Sequence, residues 1–246
     1  MYQALLASLV AGLATGIGAL PIIFLKKISH KLRDNLLAFS AGVMVAASTF
    51  NLINPAMEVG SVWEVALGIM FGVVVLSLLE RYTPDMDYEK FFGSSDQSQG
   101  KKTLLLITAI VLHNIPEGLA VGVGFASNAP GMGLALAIAI GVQNAPEGLL
   151  VAAPLIDSKM SSWRIVGLAT LTGLVEPIAA LLGMVLVGYV QAIIPFALAF
   201  AAGAMLYVVF KEIIPESHGH GYADSATFSF VSGVVFMLII NSIFVR

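Results

Sequence analysis

Apolar residues in this chain come in long runs rather than in alternation. Between charged or Gly/Pro-rich breaks stand eight of them, at approximately 3–25, 36–56, 63–80, 103–126, 131–155, 164–188, 192–214 and 226–245. Each approaches the roughly 20 residues that a helix needs to cross bilayer hydrocarbon. The runs are rich in Ala, Gly and Leu and poor in β-formers, which predicts helices. Barrel strands would instead alternate over about ten residues. The longest connection, about 81–102, contains Asp, Ser, Gln and Gly in mixture, and predicts a mobile cytoplasmic loop rather than a second domain. Residues 1–246 therefore read as one transmembrane domain.

Composition sharpens this picture. Hydrophobic residues make up 58% of the chain and charged ones 11%, with mean hydropathy +0.93. A soluble domain has about 25% charged residues, more than twice that share. With no Cys and only 10 Pro, disulfide-scaffold, collagen-like and disordered classes fall away. A net charge of −3 without a basic stripe excludes nucleic acid as a partner. The first run makes an unconvincing signal peptide and is expected to be a span, because no Lys or Arg precedes it and the positive charge follows.

The basic residues orient the runs. Lys26, Lys27, Lys31 and Arg33 lie between runs one and two, and Arg81, Lys90, Lys101 and Lys102 between three and four. Lys159 and Arg164 lie between five and six, and Lys211 at the end of run seven. Eleven of the twelve thus fall on one side, the exception being Arg246 at the C-terminus. By the positive-inside rule that side is cytoplasmic, and both termini face out.

Two motifs recur. His113 opens HNIPEGL in run four and Gln143 opens QNAPEGL in run five; Ala38 opens AFSAGVM in run two and Ala199 opens AFAAGAM in run seven. Members of each pair cross in opposite directions under the charge-derived topology. That is the mark of an inverted-repeat transporter, with its substrate near the midplane. Chance among Ala/Gly-rich runs could produce the second pair, but hardly the first.

Glu117, Glu147 and Glu176 lie inside runs four, five and six. A charge at the bilayer centre costs about 2.5–3.5 kcal/mol, and no Lys or Arg lies at comparable depth to offset it. A bound cation would. His113 and Asn114 precede Glu117 by four and three residues, so they share its helix face, and Gln143 and Asn144 stand likewise to Glu147. Imidazole, carboxylates and amide oxygens together suit a borderline divalent metal such as zinc, manganese, iron or cadmium. Pro116 and Pro146 free carbonyls at Leu112 and Val142, Pro177 kinks run six beside Glu176, and the Gly after each motif Glu permits close helix approach. The plainer alternative for His113, the amides and Glu176 is interhelical hydrogen bonding. Met44 reads as packing. His218 and His220 read either as a solvated loop or as metal receivers at the cytoplasmic mouth.

The HNIPEG and QNAPEG pair on adjacent runs resembles the ZIP (Zrt/Irt-like) family of divalent-metal transporters, in its compact bacterial form. The likeness covers essentially the whole chain. It implies an all-α integral membrane protein with eight transmembrane helices, in an inverted 3+2+3 arrangement with both termini outside, in the cell membrane. It implies uptake of metal, zinc by default, with Cd2+, Fe2+, Mn2+ and Co2+ as further cargo, and no resident cofactor. A binuclear site follows from the same likeness. His113, Glu117, Gln143 and Glu147 would hold one ion with Met44 as auxiliary ligand, and Asn114, Glu117, Asn144, Glu147 and Glu176 the other. Candidate partners are metal ions, lipid and a second copy of the chain. Many relatives have His where Gln143 stands, some have Asp where Asn144 stands, and often a His-rich loop where 81–102 has no His.

Two rivals are a metal-dependent intramembrane enzyme and a proton-translocating channel. The enzyme needs an open metal position and a general base, and the chain has no HExxH helix. Carboxylates with His could relay protons. The topology has a direct check. Single cysteines at Ser61 and Ser127 are expected to react with impermeant thiol reagents outside intact cells, and one at Ser94 is not; the reverse pattern would overturn the charge argument.

Overall fold

The computed structural model describes residues 2–24, 29–81, 97–127, 131–152, 155, 160–189 and 191–244. Within these the chain is helical, with no strand. In order, α1 spans Tyr2–Ile23, α2 His30–Val59, α3 Val62–Arg81, α4 Gln97–Ala126 and α5 Met132–Ala152. The sixth, α6, has two pieces, Ser162–Gly173 and Val175–Tyr189, followed by α7, Ile194–Ser217, and α8, Ala223–Phe244. Among the described residues, α1, α2, α3, α6, α7 and α8 are long and apolar enough to cross a membrane. The other two long helices, α4 and α5, carry the duplicated NxPEGL motif.

Helices outrun the apolar stretches at several ends, since backbone hydrogen bonding does not stop where hydrocarbon does. Helix α2 begins at His30, where Ser29 Oγ accepts from the Leu32 amide at 3.3 Å and caps the first turn. Residues 97–102, expected in the long loop, form the start of α4. The rest of that connection, 82–96, lies outside the described residues. Both internal prolines, Pro116 and Pro146, are carried within continuous helices. By contrast, α6 breaks at Leu174, between its two pieces. Pro177 has no N–H to return to the Gly173 carbonyl, so the helix restarts and leaves Glu176 in a first turn.

Two further irregularities match each other. Wide π turns occupy Ser48–Ile53 in α2 and Val209–Ile213 in α7. In each, an amide reaches back five residues, Asn54 to the Thr49 carbonyl and Ile214 to that of Val209, just before Pro55 and Pro215. Such bulges let a helix continue past a missing hydrogen bond.

The helices pack as two groups. In one, α1 lies along α5 and α6, and α4 along α6 and α5; in the other, α2 lies along α8 and α3 along α7. The groups meet where α7 crosses α4 and α2 crosses α5. Small residues set these approaches. A Cβ at Gly118 would strike the Glu176 carbonyl on α6, and one at Gly148 the Thr15 carbonyl on α1. Likewise Gly42 of α2 abuts the Phe230 carbonyl on α8, and Gly203 of α7 abuts the Ile69 carbonyl on α3. Each motif pair therefore docks on equivalent partners, α4 on α6 as α5 on α1, and α2 on α8 as α7 on α3. Large apolar side chains such as Trp63, Leu67, Phe228 and Ile239 point outward. In water such a surface would aggregate; against lipid it is the solvated face.

Gly148→Ala is expected to lower the melting temperature of the purified protein, because the new methyl meets backbone and cannot be accommodated by a rotamer change. Overpacking of this kind costs about 1–3 kcal/mol. Gly167→Ala, with nothing within 4 Å of its Cβ, is the control and should leave the melting temperature unchanged or raised. Equal behaviour of the two variants in thermal unfolding would contradict the close approach of α1 and α5.

Candidate metal site

The two NxPEGL helices bring their polar faces together with the break in α6. His113, Asn114, Glu117, Gln143, Asn144, Glu147 and Glu176 are all buried. The amides are oriented by their donors. Asn114 Nδ2 donates to the Thr172 carbonyl at 2.7 Å, and Asn144 Nδ2 to the Ala11 carbonyl at 2.9 Å. A carbonyl can only accept, so nitrogen must face it and the amide oxygen must point the other way. Asn144 Nδ2 also donates to Glu176 Oε1 at 2.6 Å, and Gln143 Nε2 to Glu117 Oε1 at 2.5 Å.

Acceptors remain after every one of these donors is used. Asn114 Oδ1, Glu117 Oε2, Gln143 Oε1, Asn144 Oδ1, Glu147 Oε1 and Glu176 Oε2 are buried without a hydrogen-bond partner. His113 Nε2 joins them: it lies 3.2 Å from Glu212 Oε2, but not in hydrogen-bonding geometry. Glu117 feels the charges of Glu147 and Glu176, and Glu176 feels that of Glu147, so the carboxylates are near enough to act on one another. Among the described residues no Lys or Arg is buried to neutralise them. Lys211, the cation at the end of α7, is engaged by Glu80 of α3 at 2.5 Å and by the Tyr207 hydroxyl at 2.8 Å. Buried unpaired acceptors are costly in an apolar medium.

Among the described residues, no three His, Asp or Glu side chains stand close enough to hold an ion by themselves. Met44, fully buried, belongs to the apolar core one turn past Ser40, whose hydroxyl donates to the Gln143 carbonyl at 3.3 Å. Glu212 was not singled out from the sequence. It lies near the end of an apolar run, and only the crossing of α7 over α4 brings it to His113. No local sequence signal marks it; the structure places it in the π turn of the AFxAGxM helix.

The family model for "ZIP Zinc transporter" matches residues 85–241, well over half of the chain. The chain belongs to the ZIP family. It is 40% identical to the zinc transporter GufA of Myxococcus xanthus, over 98% of each chain. Against the zinc transporter ZIPB of Bordetella bronchiseptica it is 35% identical, over 93% of this chain and 77% of that one. Human zinc transporter ZIP11 is 30% identical, over 97% and 96% of the two chains. ZIP proteins are membrane transporters, so the chain is a multi-pass membrane protein and not an enzyme.

The hydrogen bonds of Asn144 set a test. Asn144→Asp removes two donations and turns an acceptor toward Ala11 and Glu176, a loss of about 1.5–3 kcal/mol for a bond to a charged group. The metal-free variant is expected to melt at lower temperature than the native protein. Added zinc should raise its melting temperature by more than it raises the native one, since the new carboxylate draws an ion. Unchanged melting and an unchanged zinc response would show that residue 144 is no part of a metal site.

Proposed function

We propose that this protein carries divalent metal ions, zinc foremost, into the cytoplasm through a binuclear site near the membrane midplane on α4, α5 and α6. The surplus of buried acceptors carries the reading. His113, Glu117, Gln143 and Glu147 take the first ion, with Met44 as an auxiliary ligand. Asn114, Glu117, Asn144, Glu147 and Glu176 take the second, the two glutamates bridging. An imidazole beside oxygen donors suits zinc at the first position, while an all-oxygen second position tolerates harder cations. Glu212 lies next to His113 and offers the first ion a carboxylate as it leaves toward the Lys211 end of α7.

Eight transmembrane helices with both termini outside follow from treating α4 and α5 as spans along with the six apolar helices. The matched docking of the motif pairs supports inverted three-helix repeats around the α4–α5 pair. The cell membrane is the setting, with the basic loops inside. An ion held by acceptors that lack other partners must still be released, so donors such as Asn144 and Gln143 have a second use. Their N–H groups keep Glu176 and Glu117 in place when no ion is bound.

Uptake into proteoliposomes tests the proposal. Glu147→Ala and Glu117→Ala should each abolish saturable zinc uptake while inserting normally, and His113→Ala should weaken uptake and shift preference away from zinc. Native-like transport by all three variants would sink the site. Charge movement without metal in the native protein would favour a proton channel instead.

A further inference from the structure

Outside the midplane cluster, a second group of metal-type side chains gathers where α2 begins and α7 turns into α8. His30 and Asp34 lie four residues apart on α2 and share a face. His220, on the turn between α7 and α8, places Nδ1 3.0 Å from Asp34 Oδ1. Its ring stacks on that of His30 with centroids 4.6 Å apart and planes 25° apart. We propose that His30, Asp34 and His220 form a separate binding site for a borderline divalent cation such as zinc.

Asp34 carries the argument. Its side chain is fully buried, and Oδ2 has no hydrogen-bond partner. The neighbouring Arg33 does not serve it, being paired with Glu216. A buried carboxylate with one polar contact calls for a cation. Neutral imidazole keeps a lone pair, the form in which histidine binds metal. A carboxylate oxygen and neutral imidazole nitrogens make a donor set for zinc or its borderline neighbours.

The other histidine of the same turn is excluded by its contacts. His218 Nδ1 lies 3.1 Å from the Ile214 carbonyl and 2.9 Å from Ser217 Oγ, and Nε2 lies 3.4 Å from Thr227 Oγ1. The carbonyl only accepts, so Nδ1 carries the proton and Nε2 faces the hydroxyl. His220, by contrast, spends only Nδ1 on Asp34. In the metal-free arrangement three donors do not yet converge on one point, so closing the site takes a turn of the exposed His30 ring. The site lies on the side assigned above to the cytoplasm, and only that placement rests on the proposed transport topology.

Zinc binding to the purified full-length protein in detergent tests this, with visible absorption of Co2+ as a reporter of ligand type. Glu147→Ala serves as the background, because it disables the midplane site. In that background one zinc site should persist. His30→Gln or His220→Gln should weaken it at least tenfold and remove the Co2+ absorption. His30 is exposed, so its variant stays informative even where Asp34→Asn misfolds. Residual binding that both histidine variants leave intact, or no residual binding at all, would overturn the proposal. A Glu147→Ala protein that loses no zinc relative to the native chain would instead count against the midplane site, with the histidine variants still deciding this one.

Discussion

Lone pairs outnumber N–H and O–H groups inside this bundle, and the architecture is arranged around that imbalance. In water an unpaired carboxylate oxygen is solvated at once; between apolar helices it has only what the protein supplies. Here the three side-chain amides of the cluster are already engaged. Two asparagine amides are committed to the backbone carbonyls of Ala11 and Thr172, and what donor capacity is left goes to Glu117 and Glu176. The remaining oxygens of the cluster have nothing to accept from. A structure that only needed stability would have used leucine.

Bringing those oxygens together demands backbone approaches that bulky side chains forbid. Gly118 seats α4 on the α6 break, and Gly148 seats α5 on α1. The broken α6 then supplies Glu176 from a first helical turn, where amide dipoles favour a negative charge. At the other end of the site, a π turn in α7 carries Glu212 to His113. Irregular backbone thus supplies Glu176 and Glu212, while the continuous helices α4 and α5 supply the rest of the cluster.

How much of this is legible in the chain depends on sequence distance. His113 with Glu117, and Gln143 with Glu147, lie one turn apart, so helix periodicity alone puts each pair on a face, and the repeated motif points to a shared role. Run boundaries were legible to within a turn at most ends. They failed at His30 and Gln97, where helices continue through polar sequence. Contacts across the bundle were not legible. Glu212 to His113, Lys211 to Glu80 and His220 to Asp34 join residues that only packing makes neighbours. Nothing local in VFKEIIP separates a glutamate that meets a histidine from a lysine that meets a glutamate.

The paired π turns have a consequence for the history of the chain. Ser48 begins one of them ten residues beyond Ala38, and Val209 begins the other ten residues beyond Ala199. The side chains inside the two turns differ, STFNLI against VFKEI, while a proline follows each turn at the same distance. Descent of both halves from one repeated unit would account for this placement, with an acidic residue meeting His113 from only one of the two turns.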